Sequence, residues 1–371
     1  MTQYNSVLKN EEKAIFALRE LYTAFGYSQY KMSKFEEYDL YVKNKDFLIS
    51  DSVITFTDLG GKLMALKPDV TLSILKNGKD TQGCVQKVYY NENVYRPSGN
   101  TGSFKEIMQV GLECIGDIDN YCIYETLMLA AKSLYTISSS SVLDISHLGI
   151  IEAVFDKAGL GEEYRKKALQ YIGDKNMHEL KCLCRDAEIS DSDAELIGSL
   201  ISLYGAPSDI MPKLKALLGD SCGNDALCQL EMLIAAFEGS EESKMLRIDF
   251  SVVHDIRYYN GIVFKGFIEG IPEGVLSGGQ YDKLLAKMGR KSGAIGFAVY
   301  LDLLERLRIG DKKYDTDILL IYSGNADIVK LSKAVKELSG DGSSVMAQKE
   351  IPEKLTYKKL MKFDESGVRE V

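Results

Sequence analysis

Phe104-Lys105-Glu106-Ile107-Met108-Gln109-Val110-Gly111-Leu112-Glu113-Cys114 is the stretch on which the fold turns. Side chains of an extended chain alternate between two faces. Met108, Val110, Leu112 and Cys114 share an apolar face that belongs in a core. Lys105, Ile107, Gln109, Gly111 and Glu113 share the other. An amide and a carboxylate on one face, with a glycine between them that leaves room, suit recognition of a small polar ligand. A solvated antiparallel face carries the same pattern, and on alternation alone both readings stay open.

Working outward, Val85–Arg96 pairs with Phe104–Cys114 as a long antiparallel hairpin. The two arms are joined through the turn-forming Pro97-Ser98-Gly99-Asn100-Thr101-Gly102. Upstream, Asn10 to Phe25 reads as an amphipathic helix on Ala14, Ile15, Leu18, Leu21 and Tyr22. Val53–Thr57 and Leu63–Leu66 flank the turn Asp58-Leu59-Gly60-Gly61, and Pro68 opens a helix through Thr71–Leu75. Downstream, Asp117, Asp119 and Asn120 cap a helix carrying Ile123, Leu127, Ala130, Ala131 and Leu134. From about 150 to 242 strand signals vanish, and a helical insertion is expected. Strands return at Met245–Phe250 and Tyr258–Ile268. A glycine turn, Ser277-Gly278-Gly279, then precedes a helix at Tyr281–Met288, and a strand-to-helix unit spans Ala294–Leu307. After a linker at Gly310–Thr316 the tail reads βαβα: strand Ile318–Tyr322, helix Ala326–Leu338, strand Ser344–Gln348, helix Glu353–Met361.

Composition narrows the function. The chain has 371 residues, 45% hydrophobic and 27% charged, which excludes wholesale disorder and leaves room for two or three domains. Its net charge of −9 and short basic runs argue against a nucleic-acid-binding face. No apolar run is long enough for a membrane span. The polar start reads as no secretory leader, and seven scattered cysteines read as reduced thiols, so a cytoplasmic protein is expected. Cys182-Leu183-Cys184 lacks the spacing and second ligand pair of a zinc site. His147 and His178 have no nucleophile context and read as surface or packing residues. Neither a metal nor a cofactor is expected.

Five blocks, in order, resemble the catalytic core of the histidyl-tRNA synthetases, a class II synthetase family. Phe56-Thr57-Asp58-Leu59-Gly60-Gly61 with Leu66-Lys67-Pro68-Asp69-Val70-Thr71 is similar to F-x-D-x-x-G…L-R-P-E-x-T. Asn93-Val94-Tyr95-Arg96 through Gln109-Val110-Gly111-Leu112-Glu113 resembles the second class motif. Tyr258-Tyr259-Asn260-Gly261-Ile262-Val263-Phe264, Gly278-Gly279-Gln280-Tyr281-Asp282 and Gly296-Phe297-Ala298 resemble the remaining blocks. The resemblance implies an α+β core, a mostly antiparallel sheet flanked by helices, over 1–310, interrupted by the helical insertion. It also implies a small C-terminal α/β unit over 315–371, a truncated relative of an anticodon-binding domain, which makes tRNA recognition doubtful. Asp69, Thr71, Arg96, Gln109, Glu113, Tyr258 and Tyr259 fall at positions that line the family's histidine pocket.

The departures concern cations. Tyr300-Leu301-Asp302-Leu303 stands where the third motif has G-L-E-R, so Leu303 replaces an arginine. His254 stands at the arginine of R-G-L-D-Y-Y, and Ser98 and Ser103 fall in the second-motif loop, Ser103 in place of an arginine; Arg96 survives. A shifted alignment leaves Arg257 and Arg306 as substitutes. Each lost contact to developing phosphate charge costs on the order of 3 kcal/mol, so adenylation is suppressed many thousand-fold. No catalytic residues are therefore assigned. A retained polar pocket without a phosphate clamp resembles the synthetase-like regulatory subunits of ATP phosphoribosyltransferase. That likeness implies a non-enzymatic role in histidine biosynthesis, with a short catalytic subunit as partner, histidine as feedback effector, and a homodimer inside a hetero-oligomer. An active or degenerate synthetase, and a stand-alone binding module for another partner, are the alternatives.

Overall fold

The computed structural model describes residues 8–48, 52–78, 83–97, 102–219, 224–253, 259–306 and 314–371. The chain divides into two units, Met1–Leu307 and Arg308–Val371.

Among the described residues, the first unit is built on a nine-stranded sheet. Its order is Ser28–Gln29, Val85–Pro97, Phe104–Gly116, Gly293–Tyr300, Leu276–Gln280, Ile262–Ile268, Ser141–His147, Leu246–Asp249 and Tyr204–Gly205. Two pairings are parallel, Ser28–Gln29 with Val85–Pro97 and Ser141–His147 with Leu246–Asp249; the rest are antiparallel. The expected hairpin is the longest pairing, running from Val85 opposite Gly116 to Pro97 opposite Phe104.

Helices Asn10–Ala24 and Asn120–Ile137 cover one face of the sheet. Asp119 starts the second helix by accepting the Cys122 N–H at 2.8 Å, satisfying one of the orphan donors of a helix N-terminus. Leu127, Ala130, Ala131 and Leu134 then pack with Val110, Leu112, Cys114, Phe264 and Phe297 in one core. Gly266 lets the helix sit close, because a Cβ there would lie 2.6 Å from Leu134 Cδ1. The apolar face assigned to Phe104–Cys114 is this buried side.

Among the described residues, six helices, Leu148–Lys157 through Asn224–Ala236, follow strand Ser141–His147. The segment is not wholly helical: Tyr204–Gly205 leaves it to become an edge strand beside Leu246–Asp249. His147 is a packing residue. It is 6% exposed, its Nδ1 accepts the Gly149 N–H at 3.1 Å, and its Nε2 bonds Gln229 Oε1 at 2.9 Å. His178 is exposed. Near the start of the chain, Phe35–Glu37, Leu63–Leu66 and Thr55–Thr57 form a separate three-stranded sheet. Its turn is closed by Asp58 Oδ1, which accepts the N–H groups of Gly60 and Lys62.

The second unit corrects one expectation. Strand Thr316–Tyr322, helix Ile328–Ser339 and strand Val345–Gln348 are present, but the segment read as a helix over Glu353–Met361 is strand Tyr357–Asp364. It pairs parallel with Thr316–Tyr322 and antiparallel with Gly367–Glu370. The physical reason lies in a period of two: Met361 and Phe363 face the helix-covered core. An Asp364 turn with Gly367 at φ 107 then closes a hairpin.

Candidate functional site

The face of the central strands opposite helices Asn10–Ala24 and Asn120–Ile137 carries the site. Antiparallel register sets Tyr90, Gly111, Ala298 and Ser277 in one row across the sheet. Val88, Glu113, Gly296 and Gly279 form a second row, and Glu92, Gln109 and Tyr300 a third. Glycines admit the larger side chains. A Cβ on Gly111 would overlap the Tyr90 hydroxyl, and one on Gly296 would overlap Glu113 Oε2. The Tyr259 ring lies over Gly279, whose Cβ would come within 2.8 Å of its Cδ1.

Gln109 and Glu113 are each 2% exposed, which decides between the two readings of their face. What buries them comes from elsewhere in the chain. Helix Thr71–Asn77 supplies the Thr71 hydroxyl, which donates to Glu113 Oε1 at 2.7 Å, and Tyr281 donates to Oε2. Burial pushes the Glu113 carboxyl up to about 8, although both hydroxyl bonds pull it back; Asp69 adds to the rise. Gln109 Nε2 is buried with no hydrogen-bond partner among the described residues. A buried amide donor left unmade costs free energy, and native proteins keep few of them. A ligand acceptor would satisfy it.

Asp69 and Arg96 hold one another at the rim. Asp69 Oδ1 accepts the Leu72 N–H at 2.9 Å, capping the helix, and its Oδ2 lies 3.7 Å from Arg96 Nη2. Arg96 Nε donates to the Pro68 carbonyl at 2.7 Å. Asp69 is one methylene shorter than the family's glutamate, and this carboxylate is committed to the backbone. Behind them Lys67, fully buried, donates to Glu92 Oε2 at 2.6 Å; burial pushes its ammonium below the ordinary lysine range.

These groups enclose a cavity of about 60 Å³ lined by Asp69, Thr71, Arg96, Gln109, Glu113 and Tyr259, six of the seven expected residues. Tyr258, the seventh, lies outside the described residues, as do Ser98, His254 and Arg257. Tyr90, Tyr281, Tyr300, Ser277 and Phe47 also line the cavity and were not expected. Tyr281 and Tyr300 had a signal, since both stand in blocks that resemble family motifs. An adjoining outer cavity of about 450 Å³ includes Arg96, Tyr259, Lys265, Ser277 and Tyr300.

Among the described residues, Arg96 is the only arginine lining either cavity. Arg306 Nη1 pairs with Glu273 Oε1 at 2.8 Å on the surface. Leu303 packs against the apolar core, and Ser103 is exposed. Among the described residues no group of three or more His, Cys, Asp or Glu could hold a metal ion, and no helix is long and apolar enough to cross a membrane.

A largely antiparallel sheet backed by two helices, with a polar pocket on its other face, defines a class II aminoacyl-tRNA synthetase fold. The model of the histidyl-tRNA synthetase family matches residues 5–304, and the chain belongs to that family. A relative from Bacillus cereus (strain AH187), named as an ATP phosphoribosyltransferase regulatory subunit, is 27% identical over 339 residues. The match covers 88% of this chain and 80% of the relative. One of the same name from Clostridium kluyveri is 28% identical over 320 residues, covering 82% and 81%. Among solved structures, an ATP phosphoribosyltransferase regulatory subunit/histidyl-tRNA synthetase from Bacillus halodurans superposes with a TM-score of 0.75. It is 22% identical and covers 95% of this chain and 93% of its own. A chain of the ATP phosphoribosyl transferase complex from Thermotoga maritima gives 0.62 at 19% identity, covering 78% and 97%.

Proposed function

We propose that this chain is a non-catalytic regulatory subunit of ATP phosphoribosyltransferase. It activates a short catalytic subunit in the cytoplasm and carries feedback inhibition by histidine, bound in the inner cavity. The observation that carries this reading is the pairing of a polar pocket with, among the described residues, a single guanidinium. Gln109 Nε2 offers a donor to a carboxylate or carbonyl, Arg96 supplies positive charge at the mouth, and Glu113, held by the Thr71 and Tyr281 hydroxyls, adds a polar group to the lining. A triphosphate would need further cations at its developing charge. The names of the relatives support the same reading.

Physically, histidine stabilises one assembly state over another, with a coupling of about 1–3 kcal/mol, typical of such linkage. The assembly contains a homodimer of this chain within a hetero-oligomer. In this reading the small unit from residue 315 carries no tRNA role.

Calorimetric titration with histidine, on the chain alone and mixed with a short catalytic subunit, tests the effector role. Phosphoribosyl transfer measured with and without the chain tests the activating role. Saturable binding and activation are expected. No binding in either setting removes the effector, and unchanged transfer removes the subunit. Histidine-dependent ATP–pyrophosphate exchange would instead establish a synthetase.

A further inference from the structure

Two cavities adjoin on the pocket-bearing face of the sheet, and four residues, Arg96, Tyr259, Ser277 and Tyr300, line both. They form the waist between an inner compartment of about 60 Å³ and an outer one of about 450 Å³. Strand Gly293–Tyr300 presents Gly296, Ala298 and Tyr300 successively to this face. The first two are small and lie opposite Glu113 and Gly111, so they floor the inner compartment. Tyr300 is the first bulky side chain along that strand face, and it stands opposite Gln109, whose Nε2 has no partner among the described residues. Its place on the strand is held by its own N–H, which donates to the Val275 carbonyl at 2.8 Å. In the motif that this segment resembles, the same position is a glycine.

We propose that Tyr300 is a specificity-determining residue: its ring closes the waist and limits the inner compartment to a free amino acid, excluding derivatives extended from the carboxylate. A carboxylate drawn to Arg96 sits at the waist, so any group attached to it must pass Tyr300 to reach the outer cavity. Free histidine ends where the ring begins. Discrimination here rests on sterics at one contact, which places it at about 10- to 200-fold. This inference rests on the effector reading above and names the residue that sets ligand length.

The test uses the full chain with two probes, histidine and histidine β-naphthylamide, titrated by calorimetry into the wild type, Tyr300→Ala and Tyr300→Phe. The wild type and Tyr300→Phe are expected to bind histidine and to take the amide at least about tenfold more weakly. In Tyr300→Ala the amide should gain at least about tenfold, while histidine changes less. Thermal unfolding of all three proteins verifies that each is folded. An amide bound as tightly as histidine by the wild type, or still excluded by folded Tyr300→Ala, overturns the proposal. Histidine failing to bind while the amide enters only Tyr300→Ala removes the effector reading and leaves the waist standing. Binding of neither probe to any of the three proteins overturns both.

Discussion

Replacing Glu113 by glutamine isolates the electrostatic cost built into the pocket. Burial raises the Glu113 carboxyl from 4.5 to about 8, against the pull of the Thr71 and Tyr281 hydroxyls. A carboxyl raised on folding holds more protons in the folded state than in the unfolded one between those two values. The contribution is therefore intact below the unfolded value and is lost as pH rises towards the folded one. Each pH unit inside that window is worth about 1.4 kcal/mol, so Glu113 removes on the order of 4 kcal/mol between pH 5 and pH 8.

Glu113→Gln abolishes that slope because an amide has no proton to lose. At pH 5 the wild-type carboxyl is itself protonated, so it offers Thr71 and Tyr281 one acceptor oxygen and one donor, as the amide does. The variant should match the wild type closely at pH 5 and be clearly more stable at pH 8. Urea unfolding of both proteins at several pH values between these limits gives the difference in free energy. Other titrating groups cancel in that difference, including Asp144, which burial and Asp249 push up to about 7. A difference that stays constant with pH would refute the reasoning, because it would mean that Glu113 ionises in the folded state as it does in water.

Two further substitutions probe the same face. Gln109→Leu removes a buried amide whose Nε2 lacks a partner, so the unfolding midpoint should hold or rise while histidine affinity falls about 10- to 100-fold, the scale of one charge-assisted bond. Calorimetry beside urea melts reads both, and a large loss of stability would show that the amide serves the fold. Gly296→Ala places a Cβ against Glu113 Oε2 and the Leu112 carbonyl, and the carbonyl cannot swing aside. It should cost about 1–3 kcal/mol, and an unchanged melting midpoint would show that the strands part enough to admit a methyl group.

The parts of the fold written in local chemistry were legible before any coordinates. Asp119 caps its helix, the two arms of the long hairpin pair, and Met108, Val110, Leu112 and Cys114 face the core. The burial of Gln109 and Glu113 was not legible from alternation, because a solvated face and a covered one share the pattern. Only Thr71 and Tyr281, distant in the chain, settle it. The tail strand Tyr357–Asp364 was missed for a related reason: its charged residues suit an exposed helix as well as a strand, and its parallel pairing to Thr316–Tyr322 is non-local. The commitment of Asp69 to the Leu72 N–H was equally hidden, since a shortened side chain announces lost reach but not its new partner.

The retained and altered positions divide by where they sit. Gln109, Gly111 and Glu113 belong to one central strand and Gly296 to its neighbour, where a change disturbs two pairings at once. Thr71 and Arg96 are locked to that sheet, one through Glu113 and the other through its own strand and the Pro68 carbonyl. The substitutions that removed cations lie off it. Leu303 is in the short helix after strand Gly293–Tyr300, and Ser103 immediately precedes strand Phe104–Gly116. Connections tolerate change that a paired strand does not. In the proposed reading, a pocket whose floor is set by strand register persists independently of cations borne on connections, so a binding site would not need the phosphate contacts beside it.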